Sequence, residues 1–315
     1  MNLRTNILVI LLTLVLFSCK EKIKEPATDQ MLFSKHLVDY SDLFLKQNDT
    51  SIKIIDFRLA ALYNKGHLQG AVNLQRSEFQ DTNFPYKGMR INREDMEKRL
   101  GLAGITDKHT LVIYDDKGLS EASRLWWLLR LHNFENVYLL NGGLHHWEQM
   151  GGSLSTSSPE IREVKFKFTE QTTKPIVVGK EKILEVISSD ASNVFVVDAR
   201  SKKEFDGFYL KEGAKKAGRI PKSINIDWAE AIDYGNTFTF KSLAELENIY
   251  KRIGATKEDT IIVYCHTGVR SSHTTFVLTE LLDYKNVMNY DGSWVEWSYF
   301  DQLPFENDSL ILAKN

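Results

Sequence analysis

Short apolar runs alternate with amphipathic stretches along most of this chain. Ile52–Ile55 and Leu111–Tyr114 are rich in β-branched residues and have strand length, whereas Glu121–Leu131 and Ser272–Leu282 carry apolar side chains at helical spacing. Such alternation predicts an α/β fold in which mainly parallel sheets are covered by helices.

The pattern also repeats. Ile52-Lys-Ile-Ile-Asp56-Phe-Arg58 parallels Val194-Phe-Val-Val-Asp198-Ala-Arg200, each an apolar strand ending in Asp-x-Arg. Gly70-Ala-Val-Asn73-Leu matches Lys222-Ser-Ile-Asn225-Ile, and Thr106–Tyr114 matches Thr256–Tyr264. Asn136–Trp147 and Asn286–Trp297 close each series. Four blocks in the same order predict a duplicated domain, with copies at 35–155 and 175–308, a linker at 156–174 and a tail at 309–315. The 315 residues suffice for two domains of ordinary size.

Residues around Gly207 to Gly218 have no counterpart in the first copy, and their charged, glycine-bearing composition predicts a longer surface loop. Between the copies, a Ser/Thr/Pro cluster followed by EIREVKFKFTEQTTK reads as an extended linker, partly strand. Trp126, Trp127, Trp294 and Trp297 are read as packing residues.

The N-terminus follows other rules. Arg4 precedes the apolar run Ile7–Phe17, which is shorter than the roughly 20 residues a membrane-crossing helix needs. The run ends in Leu16-Phe17-Ser18-Cys19, which resembles the lipobox of bacterial lipoproteins. Residues 1–19 are therefore expected to be a signal peptide with Cys19 as the lipid attachment point, and polar residues 20–34 a flexible tether. The alternative is an uncleaved N-terminal anchor. Either way the chain is expected at the cell envelope, anchored to a bacterial membrane, and Lys20 favours the outer membrane or the periplasmic face.

Charge and composition narrow the rest. A net charge of −2 with interspersed signs gives no basic footprint for nucleic acid, and 43% hydrophobic content is that of a globular protein. With Cys19 assigned to lipid, Cys265 has no disulfide partner. On position alone a reactive thiol and a small buried hydrophobe are equally good readings.

The surroundings of Cys265 separate the two. Tyr264-Cys265-His266-Thr267-Gly268-Val269-Arg270-Ser271-Ser272 spans a strand-to-helix turn, at the sheet edge where open α/β folds bind ligands. Amides of a tight loop opening a helix converge on one point and add partial positive charge. A cysteine there should have its pKa lowered from about 8.5. Gly268 lets the backbone close around the sulfur, and Arg270 supplies a cation for an anionic substrate. No histidine pair has a metal-ligand pattern, the adjacent His145 and His146 included.

The duplication, the Asp-x-Arg strand ends, Cys-x-x-Gly-Val and Asp291-Gly-Ser-Trp-Val-Glu-Trp297 together resemble a tandem-domain rhodanese, over nearly all of residues 35 to 305. The resemblance implies two rhodanese-like α/β domains, the first of them silent. There the loop reads Tyr114-Asp115-Asp116-Lys117-Gly118-Leu119-Ser120, so a carboxylate stands in the cysteine's place and Ser120 in the arginine's. It also implies ping-pong sulfur transfer: Cys265 takes sulfur from thiosulfate or mercaptopyruvate as a persulfide and passes it to cyanide, sulfite or a thiol, without metal or organic cofactor.

The implied substrate contacts are Arg270, Arg200, His266, Thr267, Gly268 and Val269. Arg200 is equally well read as the partner of a nearby acid. Arg219, beside the insertion, is a further candidate for the mouth of the site. Thiosulfate-specific members resemble Cys-Arg-Lys-Gly-Val-Thr and mercaptopyruvate-specific ones Cys-Gly-Ser-Gly-Val-Thr, and this loop departs from both. Arg270 favours the thiosulfate dianion, and Glu204, standing where the family commonly carries a substrate-binding arginine, counts against a mercaptopyruvate carboxylate. Two other classes remain open: a non-catalytic sulfur-carrier or interaction lipoprotein, and a cysteine phosphatase or arsenate reductase. The latter enzymes use Cys-x5-Arg, one residue more than the Cys-x4-Arg found here.

Overall fold

A computed structural model describes residues 36–169, 173–189 and 192–312. The expected signal peptide, Cys19 and all of the tether lie outside the described residues. Among those described, no helix is long and apolar enough to cross a membrane.

Two five-stranded sheets form. In the first the order is Leu37–Val38, Val137–Leu140, Thr110–Tyr114, Ile52–Asp56, Val72–Asn73; in the second it is Val177–Val178, Asn286–Tyr290, Thr260–Tyr264, Val194–Asp198, Ile224–Asn225. Equivalent strands hold equivalent places and every pairing is parallel. The repeated sequence blocks are thus repeated topology. The central strands read as continuous apolar runs because helices cover both of their faces: Leu111 to Tyr114 and Ile261 to Tyr264 are all fully buried.

The copies share one core. Helix Ser120–Leu131 of the first packs against helix Val269–Phe276 of the second, with Trp126 edge-on to Phe276 at 4.9 Å between ring centres. The expected helix Ser272–Leu282 begins three residues earlier, at Val269, and its last part widens into a π turn over Val277–Leu281. The early start follows from the loop itself, since the chain enters helical geometry directly after the left-handed Gly268. Trp126, Trp127, Trp294 and Trp297 are all buried.

The linker runs extended against the first copy, yet no residue of 156–169 is in a strand. Strand pairing stops at Leu154–Ser155, which lies antiparallel to His67–Leu68. Beyond it the linker meets a helix rather than a sheet edge: Val164 donates to the Gly101 carbonyl at 3.0 Å, and Phe166 and Phe168 are buried. Gly101 is needed for this approach, because a Cβ there would stand 2.4 Å from the Val164 oxygen.

The insertion at 207–218 folds back over the second copy. Trp294 Nε1 donates to Lys216 O at 2.8 Å, the Lys215 amide to Ser298 Oγ at 3.1 Å, and His266 Nε2 is 2.9 Å from Glu212 O. Its first turn leaves Phe208, Tyr209 and Leu210 exposed.

Candidate active site

Strand Thr260–Tyr264 delivers Cys265 to the carboxyl edge of the second sheet, fully buried. The loop that follows is shaped by its neighbours. Gly268 has φ +77°, and an added Cβ would lie 2.7 Å from Arg124 Nη1 and 2.9 Å from the Asp291 carbonyl oxygen. Only glycine satisfies both the backbone and the space.

Ser293 staples the loop from below. Its Oγ accepts the amides of Cys265 and Gly268, both at 3.1 Å, and donates to Tyr290 O at 2.8 Å. It does so from a left-handed backbone, φ +51°, which costs a non-glycine residue about 1 kcal/mol or more. The carbonyls of Cys265 and His266 accept the amides of Trp294 and Val295 at 3.0 and 3.1 Å. With those carbonyls turned away and bonded, the loop's inner face is left to N–H donors.

Those donors set the thiol's acidity. Burial pushes the Cys265 pKa up, but Arg270, the Ser271 hydroxyl and the amides of Ser271 and Thr267 outweigh it, and the thiol sits below its ordinary 9.0. Ser271 Oγ lies 3.5 Å from Sγ.

The first copy displays the same cradle with an anion inside it. Asp115 occupies the cysteine's position, and its Oδ1 accepts the amides of Lys117 and Leu119, both at 2.8 Å. Its Oδ2 accepts those of Glu121 and Ala122 at 2.8 and 2.9 Å. Four amides therefore converge on one buried carboxylate, whose pKa burial still pushes up to about 6. The equivalent positions around Cys265 are Thr267, Val269, Ser271 and Ser272.

Arg270 does not reach out freely toward a substrate. Its guanidinium is held by Glu204 through two bonds, Nη1–Oε2 at 2.6 Å and Nη2–Oε1 at 2.8 Å. Burial raises the Glu204 pKa, but Arg270 and Arg200 overcome this and bring it down to about 2. Glu204 also forms a capping box with Ser201 at the start of helix Lys202–Phe205, so the arginine's partner is itself fixed.

Arg200 is more deeply committed. It donates to both Asp198 oxygens, at 3.0, 3.0 and 2.6 Å, and to the Gly218 carbonyl at 2.7 Å, with Trp294 4.7 Å from its Cζ. Of its two readings, the ion pair is the one the geometry contains; Arg58 and Asp56 repeat it in the first copy. Arg219 points elsewhere, pairing with Glu306 and Asp308 over the Phe205 ring. The expected approach of Arg219 to the mouth is therefore not found, because two surface carboxylates take its charge.

The other loop residues have definite places. Burial lowers the His266 pKa to about 4, so the ring is neutral, with Nε2 on Glu212 O and Nδ1 buried without a partner. Thr267 packs on Gly88 of the first copy, where a Cβ would come within 2.7 Å of it. Val269 opens the helix and is buried. His145 contacts the Asp116 carbonyl and stacks on Phe238. Among the described residues no group of His, Cys, Asp and Glu is arranged to hold a metal ion.

Three contributors escaped the sequence reading. Arg124 of the first copy donates to Asp291 Oδ1 at 2.6 Å and to Gly268 O at 3.3 Å, so the first copy grips the loop that carries Cys265. Ser293 was hidden in an Asp-Gly-Ser-Trp turn, although its counterpart Gly143 differs from it. Lys211 sits on the insertion, half-buried, and burial with the nearby charge of Arg270 lowers its pKa against the opposing pull of Glu204 and Cys265.

Comparison with known proteins agrees with this geometry. The rhodanese-like domain description matches residues 40–150 and 182–299. The chain is 35% identical to a sulfur carrier protein of Thermus thermophilus, covering 77% of this chain and 86% of the relative. It is 31% identical to a thiosulfate sulfurtransferase of Corynebacterium glutamicum, covering 89% and 93%. The solved structure of a 3-mercaptopyruvate sulfotransferase from Escherichia coli superposes with a TM-score of 0.72 at 28% identity, over 82% of this chain and 98% of the other. With the fold, the cradle and its single thiol all accounted for, the chain belongs to the rhodanese-like family, as a two-copy sulfurtransferase whose second copy alone carries the cysteine.

Proposed function

We propose that the protein moves sulfane sulfur from thiosulfate through a Cys265 persulfide to a thiol or cyanide. The Cys265 thiolate attacks the outer sulfur, the S–S bond of thiosulfate breaks, and sulfite leaves with the electron pair. The acceptor then attacks the outer sulfur of the persulfide and the Cys265 thiolate departs, restoring the enzyme. The observation that carries this reading is the pair of equivalent loops: one binds its own carboxylate through four amides, and the other places a cysteine at the same point. An anionic persulfide is what such a cradle stabilises.

Thiosulfate is favoured over mercaptopyruvate because Glu204, rather than a free arginine, stands beside Arg270. The same pairing disfavours phosphate chemistry, since a phosphatase-like loop needs its arginine to hold the substrate. The deciding experiment incubates the full chain with thiosulfate and reads intact mass for one added sulfur, lost in Cys265→Ser and discharged to thiocyanate by cyanide. No added sulfur from thiosulfate or mercaptopyruvate would sink the proposal.

Export and lipid attachment at Cys19 belong to the same proposal and are supported by the N-terminal sequence pattern. The protein would then work at the cell envelope, on the outer membrane or periplasmic face, with its tether leading to the first domain. Membrane fractionation of the wild type against Cys19→Ala tests this, and equal distribution of the two would refute it.

A further inference from the structure

A thiosulfate dianion has to be held while its outer sulfur meets Cys265, and the obvious cations are already spent. Arg270 is neutralised by Glu204 and Arg200 by Asp198, while Thr267 carries no charge. The amides of the loop face the sulfur, not the distal end of a donor.

The insertion supplies what is missing. His266, next to Cys265 in the chain, is bonded through Nε2 to Glu212 O at 2.9 Å, which anchors the insertion to the cysteine's loop one residue from Lys211. Gly213 lies against the same imidazole, its Cβ position 3.8 Å from Nε2. Burial and the like charges of Arg270 and Arg76 lower the Lys211 pKa while Glu204 and Cys265 raise it, so the ammonium stands in the field of the site's own charges. Among the described residues its side chain has no hydrogen bond and no salt bridge. The insertion is also confined to the copy that has a thiol: between Phe205 and Ile220 the second copy carries a long loop, where the first passes from Tyr63 to Leu68 directly.

We infer that Lys211 is the donor-binding cation of this site, holding the sulfonate end of thiosulfate and then the departing sulfite while Cys265 takes the outer sulfur. This rests on the sulfur-transfer reading above and adds to it a specificity-determining residue outside the loop. A lysine suits the role because its flexible stem follows a small anion and its compact charge needs no fixed fork.

The test uses the full chain, Lys211→Met and Lys211→Arg, with two readouts. In steady state, Lys211→Met should raise the KM for thiosulfate by roughly tenfold or more, the value of one charge-assisted contact, and Lys211→Arg should recover most of it. Independently, inorganic sulfate should slow alkylation of Cys265 by neutral iodoacetamide in the wild type and fail to do so in Lys211→Met. Unchanged KM together with equal sulfate protection in the wild type and Lys211→Met would overturn the inference and leave sulfur transfer standing. Lys211-dependent sulfate protection in a protein that forms no persulfide would do the reverse. Thermal unfolding should be the same in all three proteins, because Lys211 holds no structural partner.

Discussion

Arg124 and Asp291 form a buried ion pair across the two copies, Nη2 to Oδ1 at 2.6 Å, with both side chains 2% exposed. Asp291 also accepts from Arg90 Nη1 at 2.9 Å and from the Arg90 amide at 3.2 Å, so two arginines of the first copy meet on one carboxylate. Burial pushes the Asp291 pKa up, but these arginines hold it below the ordinary carboxylate value. Because Arg124 reaches Gly268 O as well, the pair fixes both the interface and the loop.

Removing Arg124 leaves the buried Asp291 with Arg90 as its remaining partner. Arg124→Met should therefore cost about 1–3 kcal/mol in chemical denaturation, less than stranding the carboxylate outright. The persulfide yield per folded molecule should fall too, since Gly268 loses its support. A variant as stable as the wild type would show that the first copy does not carry the Cys265 loop.

The Asp115 cradle makes a second prediction. Asp115→Ala leaves four converging amides without an acceptor, and each unsatisfied buried group costs about 1–3 kcal/mol before water enters. A cleft of about 360 Å³ lined by Arg58, Arg76 and Lys117 opens over this position, so a small anion can reach it. Millimolar sulfate should restore part of the lost melting temperature in Asp115→Ala while leaving the wild type's much less affected. Asp115→Asn should be little better than alanine, because its amide group would face two N–H donors. Failure of sulfate to stabilise Asp115→Ala would break the analogy between the two loops.

Legibility in the sequence followed the range of the interactions. Strand ends at Asp56, Tyr114, Asp198 and Tyr264 are readable because apolar runs stop there, and the shared topology is legible in the order of the repeated blocks. Cys265 and Arg270 stood out because loop chemistry is local. Which carboxylate would neutralise Arg270 is not readable: Glu204 is 66 residues away, and its place in the sequence speaks against a mercaptopyruvate carboxylate without pointing to Arg270. Arg124 is 167 residues from Asp291, and nothing in its amphipathic helix distinguishes a gripping arginine from a surface one. Arg219 obeys the same limit: adjacency to the insertion says nothing about Glu306 and Asp308.

Ser293 could have been found from the repeat, and it yields a sharp test. Its counterpart Gly143 has nearly the same backbone, φ +55° against +51°, and a Cβ at Gly143 would collide with Asp115 O at 2.3 Å. The second copy thus tolerates a side chain that the first cannot, and uses it to bond two loop amides. Ser293→Gly relieves the backbone cost, about 1 kcal/mol, yet forfeits the bonds to Cys265 and Gly268. Its stability should change by less than that of Ser293→Ala, which keeps the strain and also loses the bonds. Both should slow persulfide formation, and retention of the full wild-type rate by both would remove Ser293 from the site.

The Glu204–Arg270 pair predicts opposite pH shifts from its two halves. The thiolate is stabilised by Arg270, and Glu204 beside it subtracts from that field. In iodoacetamide alkylation followed against pH, Arg270→Met should move the Cys265 midpoint upward by about 1–3 units. Glu204→Gln should move it downward, because the arginine then acts without its counter-charge. Stability responds separately. Glu204 has its pKa lowered in the folded protein from 4.5 to about 2, so its contribution is fully present above pH 4.5 and is lost as pH falls toward 2. Denaturation curves of Glu204→Gln should lose that part of the acid sensitivity while its alkylation profile shifts acidward. Were both variants to move the thiol midpoint in the same direction, the charge on Arg270 would not be what activates Cys265.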